Sequence, residues 1–179
     1  MQNLLLYPVK VWRDNEWHRL IASGLIHGNM PHLFFNMLSL YFAGEFVERA
    51  FAVYFGAKGA TLFVIMYFGA IIVSDFYDLF KHKNNAYFAS LGASGGVSAI
   101  IFALILISPF SKFYIPIPVP AFIYGPLFLI YSAYMAKRGG DHIGHAAHFT
   151  GAVFGFVFPI LFEPRLLTHF INQLTGALH

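Results

Sequence analysis

Long runs without a charged side chain are the feature that most restricts how this chain can fold. Four such runs cover residues 59–74, 84–111, 113–136 and 142–162. A helix that crosses the hydrocarbon core of a bilayer needs about 20 predominantly apolar residues. Only 11% of the 179 residues are charged, against roughly 25% in a typical soluble domain, which is too few to cover a soluble globule. The sequence therefore predicts an all-α bundle of transmembrane helices.

Five membrane spans fit these runs. They are predicted at residues 32–55, 59–80, 94–109, 113–136 and 145–162. Several prolines near the start of the fourth span predict an irregular beginning for it. The predicted organisation is an external loop region at 1–31, a membrane core at 32–163 and a C-terminal tail at 164–179. Because neighbouring spans alternate in direction, the first, third and fifth begin on the same side of the membrane.

Composition also limits the classes of partner and of chemistry. The formal net charge is +3 and is spread along the chain, which argues against a nucleic-acid partner and favours contact with membrane lipids. The chain has no cysteine, so disulfides, thiolate catalysis and thiolate metal sites are excluded. We expect no cofactor and no metal.

Polar residues at the beginnings of the odd-numbered spans form the candidate site. His32 and Asn36 lie four residues apart at the start of the first span and share one helix face. Ser94 opens the third span within the stretch SLGASGGVSAI, and a histidine cluster that includes His148 opens the fifth. Because polar groups in a membrane usually face a protein interior or a cavity, we expect these side chains to meet at one depth.

Small residues beside the candidate site predict a close approach of the third and fifth spans. Gly95 and Ala99 lie four residues apart on the third span, and Gly151 and Gly155 have the same spacing on the fifth. A short serine side chain needs this approach, because a nucleophile and its base must lie ~2.6 to 3.2 Å apart. The free N–H groups at the start of the third span would also stabilise an oxyanion.

In combination, these motifs resemble those of the rhomboid intramembrane serine proteases. The resemblance covers about residues 12–160 and rests on GASGG around Ser94, AHFTG with His148, His32 followed by Asn36, EWHRL and EFVE. It implies a catalytic dyad of Ser94 and His148 that cleaves transmembrane helices of other membrane proteins. It also implies that His32, Asn36 and the Ser94 backbone N–H stabilise the oxyanion.

Five further residues are expected to have structural roles. The resemblance implies such roles for Arg19, in EWHRL, and for Glu48, in EFVE. Gly92, Gly95 and Gly151 are expected to be structural near the site, because glycine lets a backbone turn sharply and lets two helices approach closely.

The chain departs from the family pattern at two points. Position 98, four residues after the nucleophile, is often aromatic in the family and packs under the catalytic histidine, but it is Ser98 here. The family's first span, which precedes the external loop, has no counterpart, so we expect a shortened version of a six-span protein. We expect it to lie in a bacterial inner membrane.

Two alternatives remain open from the sequence. A non-catalytic rhomboid-like protein would bind transmembrane helices without cutting them. A metal site would use His142, His145 and His148 together with His27, since imidazole is a common zinc ligand. However, spacings of three and six residues on one helix let at most two of these histidines converge easily, and no HExxH sequence is present.

Overall fold

The computed structural model describes residues 3–114, 117–139 and 143–176, and most of these residues are helical. The helices are α1 (Pro8–Asp14), α2 (Arg19–Ala22), α3 (Met30–Phe55), α4 (Gly59–Lys81), α5 (Ser94–Ile107), α6 (Ala121–Arg138), α7 (His145–Phe162) and α8 (Arg165–Gly176). Short 3-10 helices lie at Ser23–Leu25 and Gly56–Lys58. An antiparallel hairpin pairs β1 (Lys112–Tyr114) with β2 (Pro118–Pro120).

Two helical segments among the described residues are long and apolar enough to cross a membrane. One is Met30–Lys81, which contains both α3 and α4, and the other is α7. Helix α5 is apolar but has only 14 residues. The helical fold agrees with the sequence analysis, whereas the number of five spans stays a prediction.

Helix α5 is the centre of the bundle. All of its residues after Ser94 are buried except Ile101. It packs most extensively against α7, and also against α4 and α3. Large apolar side chains such as Val47 and Phe51 of α3 and Met66 of α4 fill the space around it. A helix that is apolar all round is typical of such a central position.

The start of the fourth predicted span is irregular, as its prolines predict, but its helix begins later than expected. The expected span covers 113–136, whereas α6 begins only at Ala121, after the hairpin. Proline lacks the backbone N–H that continues a helix, so the Pro118–Pro120 segment is better suited to a short edge strand. Helices α3, α4, α5 and α7 begin and end within two residues of their predicted spans.

The predicted C-terminal tail contains a further helix, α8. Leu166 is fully buried against the core, and the Gln173 side chain donates to the Ile107 carbonyl at 3.2 Å. That carbonyl is one of those that the end of α5 leaves without a partner inside the helix. The signal for this helix is helical spacing of the apolar residues at 166, 167, 170, 171 and 174.

Candidate active site

The first part of the candidate site is the beginning of α3. The Asn29 side chain accepts a hydrogen bond from the His32 backbone N–H at 2.8 Å, and Pro31 lies in the first turn, where its missing N–H costs nothing. One turn later, the buried Asn36 amide donates to the His32 carbonyl at 3.0 Å. An amide nitrogen carries two hydrogens, so the second is left for another acceptor.

The loop before Ser94 lies directly against the His32 ring. Gly92 has φ of +116°, and a Cβ at this position would lie 2.7 Å from Cε1 of His32. Any other residue would therefore strain the backbone and collide with the imidazole. The Gly92 N–H donates to the Ser23 carbonyl at 2.9 Å. The loop is thus held between Ser23 and the start of α3.

Helices α5 and α7 meet backbone to backbone. A Cβ at Gly151 would collide with the Gly95 carbonyl and would lie 2.9 Å from its Cα. One turn further along, a Cβ at Gly155 would collide with the Ala99 backbone. Only glycine allows contacts this close, so the pairs of small residues on the two helices set their separation.

The predicted nucleophile and base flank this crossing at one end. Ser94 begins α5 directly before Gly95, and His148 lies one turn before Gly151 on α7. Both side chains are half-buried. The carbonyl of Ala147, the residue before His148, lies 3.6 Å from a Cβ built on Gly95. The first N–H groups of α5 have no acceptor within the helix and carry the positive end of its dipole.

Two other rings lie close to the His148 ring. Its centroid lies 6.1 Å from the ring of Phe128 on α6, with 29° between the planes, and 5.9 Å from the ring of His145. His145 is itself buried and packs edge-on against Tyr131. Ser98 on α5, at the position four residues after Ser94, has no aromatic ring. Phe128 was not among the candidate residues, because no local sequence pattern shows which residue of the fourth span faces the fifth.

Arg19 and Glu48 lie in very different surroundings. Arg19 is 2% exposed, pairs with Glu16 and donates from Nη1 to the Leu5 carbonyl at 2.8 Å. It therefore ties α2 to the segment before α1. Glu48 is exposed on α3, twelve residues beyond Asn36, which is about 18 Å along a helix axis. Glu48 therefore lies well along α3 from the candidate site, and its structural role stays a prediction.

Replacing Arg19 with lysine is expected to lower the melting temperature of the detergent-solubilised protein. Lysine keeps the charge but lacks the guanidinium fork that reaches both Glu16 and the Leu5 carbonyl. Losing hydrogen bonds to a charged group costs about 1.5 to 3 kcal/mol. Thermal unfolding followed by circular dichroism measures the change, and the matched control is Arg13→Lys at an exposed position. Equal melting temperatures for the two variants would contradict the structural role of Arg19.

The metal-site alternative has no support in the part of the chain that the structure describes. There, no three His, Asp or Glu side chains come close enough to hold one ion. His27 lies beside His32, with ring centroids 5.1 Å apart. Burial, and then the neighbouring His32, lowers the pKa of His27. His142 lies outside the described residues.

Comparison with known proteins gives the family. The family model called the Rhomboid domain matches residues 14–165. RHOMBOID-like protein 12, mitochondrial, of Arabidopsis thaliana is 27% identical over 168 residues, covering 85% of this chain and 48% of that protein. RHOMBOID-like protein 4 of the same plant is 36% identical over 92 residues, covering 51% of this chain and 21% of that protein.

A bacterial relative also matches. Rhomboid protease AarA of Providencia stuartii is 26% identical over 115 residues, covering 58% of this chain and 40% of that protein. The chain thus spans between about a fifth and a half of the length of these curated relatives.

These comparisons also bear on the location of the protein. One relative is named as mitochondrial, so the expectation of a bacterial inner membrane is not supported. What the family match does support is an integral membrane location, since the rhomboid fold is a helical membrane fold. Because the Rhomboid domain match extends from residue 14 to residue 165, across α3 to α7, this chain belongs to the rhomboid family.

Proposed function

We propose that this chain is an intramembrane serine protease that cleaves transmembrane helices of other membrane proteins. The observation that carries the proposal is the backbone contact between Gly95 and Gly151, because Ser94 and His148 flank that contact at one end. The family acts on transmembrane proteins, and one relative is named as a protease. The partners would therefore be transmembrane substrates, surrounded by membrane lipid.

The proposed reaction uses His148 first as a base and then as an acid. Neutral His148 accepts the Ser94 hydroxyl proton while the oxygen attacks the scissile carbonyl carbon. The carbonyl oxygen becomes negative in the tetrahedral intermediate. His148 then gives its proton to the leaving amine, the C–N bond breaks, and an acyl-enzyme ester remains on Ser94. A water molecule that His148 deprotonates hydrolyses this ester and regenerates the serine.

Groups from α3 and α5 are proposed to stabilise the oxyanion. The contact between the His32 ring and Gly92 supports this, because it joins the start of α3 to the segment that leads into α5. The donors would be the Ser94 backbone N–H, the second amide hydrogen of Asn36 and the His32 imidazole. Such donors act on charge that develops in the transition state, so they accelerate the reaction without binding the substrate more tightly.

Asn36→Ala is expected to lower kcat about 10²- to 10³-fold with little change in KM, because one oxyanion donor is lost. Cleavage of a fluorogenic transmembrane substrate in detergent separates the two constants. The matched control is Ser39→Ala, which removes a polar side chain one turn further along α3. An unchanged kcat in Asn36→Ala would assign this residue to helix packing alone.

Cleavage and active-site labelling together test the proposed function. The detergent-solubilised protein should cut a synthetic transmembrane substrate and react with a serine-directed fluorophosphonate. Ser94→Ala should do neither, whereas Ser98→Ala should do both, because Ser98 lies one turn further along the same helix and has no part in the proposed chemistry. Binding of the substrate helix with neither cleavage nor labelling would overturn the proposal and support the non-catalytic alternative.

A further inference from the structure

We infer that Phe128 of α6 is a positioning residue that holds the His148 imidazole in the orientation needed for proton transfer. This inference rests on the proposed function and adds a residue to it. The two rings lie 6.1 Å apart between centroids, with 29° between their planes. Aromatic rings at such separations favour offset stacking, so the face of Phe128 limits the rotation of the imidazole.

Phe128 is itself held by neighbouring rings. Phe102 on α5 lies 5.7 Å from it, and Tyr124, one turn earlier on α6, lies 5.6 Å from it. Phe102 is buried and lies two turns after Ser94 on the same helix. A series of ring contacts therefore runs from the helix that carries the nucleophile, through Phe128, to the ring of the base.

Helix α5 carries no aromatic side chain near its crossing with α7 that could cover the face of the imidazole, because its residues there are small. Gly95 and Ala99 are the residues that touch the α7 backbone, and the buried Ser98 lies between them. None of these side chains extends far enough to cover the face of a ring. A large aromatic side chain on α5 at this crossing would therefore keep α5 and α7 apart. An aromatic side chain on α6, Phe128, lies beside the imidazole without entering the crossing.

Phe128→Leu is expected to lower kcat about tenfold and to leave KM and the melting temperature near their original values. Leucine keeps an apolar side chain but removes the flat face, and orientation errors near the chemistry can cost up to about a hundredfold in rate. Phe128→Tyr keeps the ring and should restore most of the rate. The matched control is Phe122→Leu, the same change on the same helix, where the ring packs on Phe110 instead.

A second measurement reports on His148 without requiring catalysis. The ring protons of His148 should show a ring-current shift in the NMR spectrum of the Ser94→Ala protein. Adding Phe128→Leu should remove that shift, whereas adding Phe122→Leu should leave it unchanged.

The two possible failures are distinguishable. A protein with its original sequence that cleaves no substrate overturns the proposed function and the positioning role together. If the original protein cleaves but Phe128→Leu retains full kcat, the positioning role alone is overturned, whatever happens to the His148 shift. An equal loss of kcat in Phe122→Leu would also overturn it, because the effect would then belong to α6 packing in general.

Discussion

Ser94→Ala and His148→Ala are each expected to abolish cleavage while the purified proteins remain folded. Each variant removes one partner of a single proton-transfer unit, because a serine hydroxyl is a poor nucleophile without a base to accept its proton. Losses on the order of 10⁴- to 10⁶-fold in kcat are typical for such units. The double variant should be no worse than either single variant, since the parts of one unit fail together.

Product formation from a synthetic transmembrane substrate, quantified by mass spectrometry, measures these losses. Two control variants remove the same chemical groups elsewhere. Ser98→Ala changes another serine of α5, and His169→Ala changes the histidine of α8 that lies 3.3 Å from the Ile107 carbonyl. Both should keep most of the activity. Cleavage at the same bond by Ser94→Ala, from a preparation free of other proteases, would contradict the catalytic assignment.

The sequence predicts a helix boundary well where the residues next to that boundary determine it. Helix α7 covers His145–Phe162, as predicted, because a charge-free run ends at Glu163. The start of the fourth span is not fixed in this way. There, β1 pairs with β2, with Lys112 opposite Pro120, and a hydropathy pattern does not show that two short segments will pair in this way.

The same difference between local patterns and contacts across elements applies to the candidate site. The glycines at 95 and 151 can be found from spacing alone, because small residues four apart have few other uses in an apolar helix. The Ser23 carbonyl that holds Gly92 comes from a distant part of the chain, and the Phe128 ring reaches His148 from a neighbouring helix, so no local sequence pattern predicts either contact. Membership of the EFVE motif likewise gives no information on the direction in which the exposed Glu48 side chain points.

Gly151→Ala is expected to reduce cleavage by about a hundredfold or more, although this glycine has no chemistry of its own. The added Cβ would collide with the Gly95 carbonyl, which belongs to a backbone and cannot rotate away as a side chain can. Helices α5 and α7 must then separate or slide. Displacements near 1 Å between reacting groups can cost about a hundredfold in rate, and Gly151→Val should cost more because it adds two further methyl groups.

A matched glycine shows whether the effect comes from the backbone contact. Gly69 on α4 also faces α7, but a Cβ there would meet only the tip of the Phe154 ring, at 3.2 Å. Because that ring can shift by a few tenths of an ångström, Gly69→Ala should keep most of the activity. Thermal unfolding of both variants separates a displaced site from an unfolded protein. Full activity in a folded Gly151→Ala protein would mean that the separation of α5 and α7 does not set the distance between Ser94 and His148.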